Sequence, residues 1–228
     1  MRIVPASDSA LLISFGDAIS LKTHQRVIAL LHALKELKDP RIRNLHPAYA
    51  SLLIDFDPLR LTHEELAALV ASLVPDPASS SREPVKTIEV PVCYEHEFAP
   101  DLPQVARYTS LSEEQVIALH SAGDYFVYFL GFSPGFAYLG GLPTQLHVPR
   151  LATPRKQVSA GSVGLAGEQT GIYPNNSPGG WQLIGRTPLR MFDASVDPPS
   201  RLQPGDRVRF LRIDRAQFED RATHQDWR

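Results

Sequence analysis

Gly131-Phe132-Ser133-Pro134-Gly135-Phe136-Ala137-Tyr138-Leu139-Gly140-Gly141 is the stretch on which the reading of this chain turns. It follows Tyr125-Phe126-Val127-Tyr128-Phe129-Leu130, a run of aromatics and one valine with strong strand propensity. Segments of the same character continue to residue 188. They are Pro149-Arg150, Pro154-Arg155, Ala160-Gly161-Ser162-Val163-Gly164, Gln169-Thr170-Gly171-Ile172-Tyr173-Pro174, Ser177-Pro178-Gly179-Gly180-Trp181 and Gly185-Arg186-Thr187-Pro188. Eleven of the fourteen glycines fall between residues 131 and 185. Glycine clusters where a backbone takes positive φ or approaches another group closely, and proline fixes the turns between. Short segments punctuated in this way predict a β-barrel or sandwich with long, shaped loops.

Outward from this core, Thr87 to Tyr94 reads as a strand and Leu111 to Ser121 as a short helix with Ser110 or Ser112 near its cap. Arg207-Val208-Arg209-Phe210-Leu211-Arg212-Ile213 alternates basic and apolar residues after a Pro204-Gly205-Asp206 turn, as a half-buried closing strand does. Residues 75–84 hold three prolines and three consecutive serines, which is linker composition. Ahead of them lies an α/β pattern. Strands are expected at 10–15, 42–46 and 51–56. A helix is expected over 21–37 with Val27, Leu30, Leu31, Leu34 and Leu37 on one face, and a second after Thr62, where Glu65 completes a capping box. The expected organisation is an α+β N-terminal domain over 1–80, layered and ferredoxin-like with two helices, then a mainly-β domain over 86–215 and a polar tail over 216–228.

Composition narrows the function classes. The chain has 228 residues, 43% hydrophobic and 21% charged, which is ordinary for a globular protein. A net charge of -2 argues against a dedicated nucleic-acid binder. The single cysteine, Cys93, excludes an intramolecular disulfide. The first residues lack the features of a signal peptide, and no apolar run reaches the roughly 20 residues that span a bilayer, so a cytoplasmic protein without a membrane partner is expected.

Catalytic signatures are sparse. Gly131-Phe132-Ser133-Pro134-Gly135 matches G-x-S-x-G, but the residue after the serine must donate its N–H to an oxyanion and Pro134 has none. A Pro-Gly turn after a strand is the better reading. No phosphate loop of the G-x-x-x-x-G-K-[ST] kind occurs, and the eight histidines and one cysteine form no metal-binding spacing, so neither a nucleotide grip nor a metal is expected on this chain. Between residues 131 and 190 five basic residues, Arg150, Arg155, Lys156, Arg186 and Arg190, meet one acid, Glu168. Such a surface suits a carboxylate or phosphate, or its arginines are solvated or paired with acids from other segments. Arg155 and Arg186, next to Pro and Gly turns, are the stronger ligand candidates. His120 is a candidate proton-transfer group, as is Asp124 close behind, or a helix-end histidine that caps the helix or is simply exposed. Phe136 and Trp181 line a pocket or belong to an ordinary core.

In order and wording these segments resemble the family of 5-oxoprolinase B subunits, also called KipI-like or allophanate hydrolase subunit 1. Pro47 to Leu52, Pro91 to Tyr94 and Phe98 to Leu102 resemble family segments as well, so the resemblance spans nearly the whole chain. One departure is Ser159, where the family usually has proline before Ala-Gly-Ser-Val-Gly.

The resemblance implies a small α/β domain followed by a cyclophilin-like β-barrel. It also implies a hydrolase that works with two companion subunits in the ATP-dependent opening of 5-oxo-L-proline to L-glutamate, pairing most closely with a barrel-containing sister subunit. The complex would use ATP while this chain carries no phosphate loop, and the isolated chain would be inactive. A small anionic amide would be the ligand, with Arg155, Gln169, Thr170, Tyr173, Arg186, Phe136 and Trp181 binding it and His120 as the proton-transfer candidate. Two alternatives come with the family: an inhibitor that blocks autophosphorylation of a sporulation sensor histidine kinase, and a urea- or amide-processing subunit akin to urea carboxylase. Peptidyl-prolyl isomerase activity follows from the barrel alone and has no support in these residues.

Overall fold

The computed structural model describes residues 1–73 and 86–224. The linker expected at 75–84 and the last four residues of the tail lie outside the described residues. The chain divides into two compact units, Met1–Pro84 and Val85–Arg228.

The first unit runs β1 (Arg2–Ser7), β2 (Ala10–Ser14), α1 (Leu21–Leu37), β3 (Ile42–Pro47), β4 (Ser51–Phe56) and α2 (His63–Leu73). Its antiparallel sheet has the order β1-β2-β4-β3. Alternation in β2 and β4 buries Leu11 and Ile13 on the same face as Leu52, Ile54 and Phe56. Val27, Leu30, Leu31 and Leu34 of α1 and Leu66 and Val70 of α2 close that layer, while Leu37 stays 44% exposed. Ser20 caps α1 through the Thr23 amide at 3.1 Å. Thr62 and Glu65 cap α2 reciprocally, at 2.8 and 3.2 Å. The ferredoxin-like expectation does not hold in its connectivity. A ferredoxin-like chain opens with a βαβ unit and ends on an edge strand; here the edge strand β1 comes first, as half of a hairpin. Pro5 hides it in the sequence, since proline argues against a strand except at a sheet edge.

The second unit contains β5 (Thr87–Cys93), α3 (Leu102–Thr109), α4 (Glu113–Ala122), β6 (Tyr125–Leu130), β7 (Ala137–Gly140), β8 (Arg155–Val158), β9 (Ser162–Ala166), β10 (Gln169–Ile172), β11 (Ser177–Gly179), β12 (Gln182–Arg186), β13 (Arg207–Ile213) and α5 (Arg215–Thr223). Seven strands close a barrel in the order β10-β7-β6-β13-β5-β12-β9, and β8 pairs with β11 outside it. Of the two β architectures expected, the barrel is the one formed. The closing strand β13 runs parallel to β5, from Arg207 beside Thr87 to Ile213 beside Cys93.

The barrel interior joins Val90, Val92, Val127, Leu139, Leu165, Ile184, Val208 and Phe210 to the buried sides of α3 and α4. Helix α3, which has no counterpart among the expected elements, starts at Asp101 with Pro103 in its first turn, a position where a missing N–H costs nothing. The polar tail expected from 216 is largely helical. Asp214 and Gln217 form a capping box for α5, and Phe218 packs on Phe98 with ring centroids 4.4 Å apart. The cap, the buried Phe218 and the contacts of Arg215 with Glu95 and Glu97 tie down a segment that is otherwise polar.

Candidate functional site

Strands β7 and β10 pair through Ala137 and Ile172, and one residue beyond them Phe136 and Tyr173 meet edge to face at 5.2 Å. Trp181, just ahead of β12, packs on Phe136 at 5.4 Å, and Tyr138 completes the wall at 4.9 Å from Phe136. Edge-on contacts at these distances are the favoured aromatic geometry. The wall needs room behind it, and the cross-strand pair Gly164 and Gly171 supplies it. A Cβ on Gly171 would come within 3.0 Å of Trp181 and 3.1 Å of Phe136, and one on Gly164 within 3.0 Å of Trp181. Part of the glycine signal thus records the close approach of rings to backbone.

Two arginines edge this wall. The Arg150 guanidinium lies 6.0 Å from the Trp181 ring centre, within cation–π range. Burial raises the pKa of the Tyr173 hydroxyl, while the Trp181 backbone and the charges of Arg150 and Arg155 pull it back. Arg155 itself is committed. Its Nη2 donates to Asp101 Oδ1 at 2.5 Å, and Asp101 Oδ2 accepts the Leu183 amide at 2.6 Å. The excess charge counted over 131–190 is therefore partly cancelled by an acid from outside that window, and Arg190 is likewise paired with Asp193. Beside Arg150 lies a cavity of about 160 Å³ lined by Gln104, Tyr108, Pro149, Arg150, Leu151 and Gln182 among others.

His120 and Thr170 belong elsewhere, inside the barrel. His120 is fully buried, with Nδ1 2.8 Å from the Tyr94 hydroxyl and Nε2 3.0 Å from Thr170 Oγ1. The Thr170 hydroxyl donates to the Gly164 carbonyl at 3.1 Å. Its one proton thus spent, Thr170 accepts from His120 Nε2–H, which leaves Nδ1 to accept from Tyr94. Phe210 stacks on the imidazole at 4.4 Å. Burial drives the His120 pKa down to about 3. A ring that stays neutral, with both nitrogens engaged and no exposed surface, has no face to offer a substrate in this conformation. Asp124 is paired with Arg207.

The remaining candidates stand apart from the wall. Arg186, at the end of β12, donates through Nε to the Ala160 carbonyl at 2.8 Å, and half-buried Gln169 opens β10. Of the residues expected to bind ligand, the fold gathers Phe136, Tyr173, Trp181 and Arg155 and leaves Gln169, Thr170 and Arg186 in other surroundings. Sequence reasoning missed Asp101 and Gln182. Asp101 just before Leu102-Pro103 carried the signal of a helix start; Gln182 carried none.

Residues 1–202 match the family model described as carboxyltransferase domain, subdomain C and D. The chain is 38% identical to the B subunit of a 5-oxoprolinase from Bacillus subtilis, over 95% of each chain. It is 41% identical to the corresponding 5-oxoprolinase B subunit of Haemophilus influenzae, over 92% of this chain and 97% of that one. Among solved structures, TTHA0988 superposes with a TM-score of 0.81 at 40% identity, covering 90% of this chain but only 40% of the TTHA0988 chain.

Proposed function

Because the chain belongs to the family of 5-oxoprolinase B subunits, with the carboxyltransferase subdomain C and D architecture, we propose that it serves as the B subunit of an ATP-dependent 5-oxoprolinase. In that role it works with two companion subunits, one of them a barrel-containing sister, to open 5-oxo-L-proline to L-glutamate. The observation that carries this reading is the identity of 38 to 41% along nearly the full length of relatives with that name. Subunit naming implies a multi-subunit assembly, and the chemistry is of the hydrolase kind.

The chemistry of the aromatic wall supports a small anionic cyclic amide. The carboxylate of a five-membered lactam suits the Arg150 guanidinium, which lies beside Trp181. Arg150, exposed beside Trp181, is the substrate contact this reading favours, while Phe136, Tyr173 and Trp181 are buried and form the packed cluster behind it and Arg155 is held by Asp101. The lactam is a stable amide, so phosphorylation of its carbonyl oxygen by ATP precedes attack by water. Water adds to the activated carbon, the ring C–N bond breaks as the nitrogen takes a proton, and a second water cleaves the resulting acyl phosphate to the carboxylate and free phosphate. The sequence offers no phosphate loop, so the nucleotide is assigned to a companion subunit.

The test is glutamate formation from 5-oxoproline and ATP by the companion subunits, with and without this chain. Glutamate that appears only when the chain is present supports the reading. A verified complex that makes none overturns it and turns attention to urea-type amides and to inhibition of kinase autophosphorylation.

A further inference from the structure

We infer that the cavity beside Arg150 is a subsite for a small molecule carrying a carboxylate and an N–H donor, with the carboxylate on Arg150 and the N–H on Gln182 Oε1. The assignment to 5-oxoproline rests on the oxoprolinase reading; the chemistry of the subsite does not.

Gln182 is only 4% exposed, yet it lines this cavity. Its Nε2 donates to the Pro149 carbonyl at 3.2 Å, which fixes the orientation of the amide, since a flip would set two carbonyl oxygens against each other. Oε1 is buried and receives no hydrogen bond from any described residue. A buried acceptor without a donor is costly, and native structures keep few of them. The group that satisfies Oε1 must bring an N–H or O–H.

Arg150 supplies the second half. The loop that carries it is pinned on both sides. Pro149 accepts from Gln182, and the Leu151 amide donates to the Gly180 carbonyl at 2.7 Å. The guanidinium is thus presented beside Trp181, and among the described residues Arg150 enters no ion pair. Arg155, by contrast, is bound to Asp101. Arg150 is therefore the cation of this wall with a free charge, and the anchoring of Gln182 on the residue just before it brings an acceptor and a cation together. Both line the same small cavity, which suits a compact ligand that carries an N–H and a carboxylate. In 5-oxoproline the ring N–H is bonded to the carbon that bears the carboxylate. A cavity of about 160 Å³ has room for a small ring.

The experiment removes each half from both sides. Full-length wild-type chain, Arg150→Met and Gln182→Met are titrated calorimetrically with three probes: 5-oxoproline, 2-pyrrolidinone, which lacks the carboxylate, and N-methyl-5-oxoproline, which lacks the donor. Glutamate formation by the assembled complex is measured in parallel. Arg150→Met is expected to weaken 5-oxoproline about tenfold or more while leaving 2-pyrrolidinone unchanged. Gln182→Met is expected to weaken 5-oxoproline and leave the N-methyl compound unchanged. Arg150 is exposed and outside every ion pair of the described residues, so its replacement keeps the fold and the test stands even if Gln182→Met does not. An active wild-type complex whose KM is the same in both variants overturns the subsite and spares the oxoprolinase reading. An inactive complex whose chain still binds with this dependence on Arg150 and Gln182 supports the subsite and overturns the oxoprolinase reading. A wild-type chain that binds none of the probes, in a verified complex that makes no glutamate, overturns both.

Discussion

Asp101 holds Arg155 by a 2.5 Å ion pair while its other oxygen takes the Leu183 amide at 2.6 Å. One carboxylate thus ties the start of α3 to β12 and to the first residue of β8. Asp101 is buried and Arg155 only partly so. The two ends of this pair are therefore unequal. Asp101→Ala strands a guanidinium and a buried amide together and is expected to cost about 2–4 kcal/mol. Arg155→Met leaves the carboxylate bound to the amide and is expected to cost about 1–2 kcal/mol. Urea unfolding of the two single variants and the double measures both costs and the coupling between them; equal costs with no coupling would mean the pair does not hold this junction.

His120 makes stability depend on pH. The unfolded chain takes the imidazole proton near pH 6.5, whereas the native chain refuses it until about pH 3. Unfolding therefore binds a proton between these values, and stability rises with pH across the window. The contribution is complete above about pH 6.5 and is lost as pH falls, by about 1.4 kcal/mol per unit. His120→Gln is expected to remove this slope between pH 6.5 and 5, where few carboxylates titrate. Denaturant midpoints of the two proteins that fall in parallel over this range would contradict the buried neutral imidazole.

The hydrogen-bond chain also fixes which nitrogen carries the proton. Thr170 spends its hydroxyl proton on Gly164, so His120 holds its proton on Nε2 and accepts from Tyr94 at Nδ1. Nitrogen chemical shifts of the imidazole are expected to show Nδ1 unprotonated from pH 5 to 8. Thr170→Val leaves Nε2–H without an acceptor in a sealed interior and is expected to cost about 1–3 kcal/mol. Protonated Nδ1 would reverse the direction of the whole chain.

Much of this architecture was legible because it is local. Helix α1 coincides with its expected span, since an apolar face and the Ser20 cap both lie in consecutive residues, and β4, β6 and β13 follow from alternation and propensity in the same way. The elements that escaped depend on partners far along the chain. Strand β1 needs the sheet edge that excuses Pro5, and α5 needs Phe98 beneath Phe218. The site divides along the same line. Phe136, Tyr173 and Trp181 were visible as aromatics in a glycine-rich run, but nothing in a charge count over 131–190 could show that Asp101 had already claimed Arg155 or that Thr170 faces His120 rather than the wall.

Gly171 and Gly167 separate the two reasons for glycine in this region. Gly171 sits behind the aromatic wall, where a methyl group would press at 3.0 Å on both Trp181 and the Ala137 carbonyl. A methyl group on Gly167 would meet nothing within 4 Å, and only the φ of +58° disfavours a side chain there. Gly167→Ala is therefore expected to cost about 1–2 kcal/mol, the penalty of the left-handed region, with the wall undisturbed. Gly171→Ala is expected to cost about 1–3 kcal/mol through overpacking and to displace the Trp181 ring. Near-ultraviolet circular dichroism separates them: the aromatic bands change in Gly171→Ala and persist in Gly167→Ala. If both variants kept the wild-type bands, Gly171 would not be what seats the wall. A displaced Trp181 would also carry away the ring on which Arg150 rests, so Gly171→Ala, though remote from Arg150, is expected to weaken binding at the same cavity.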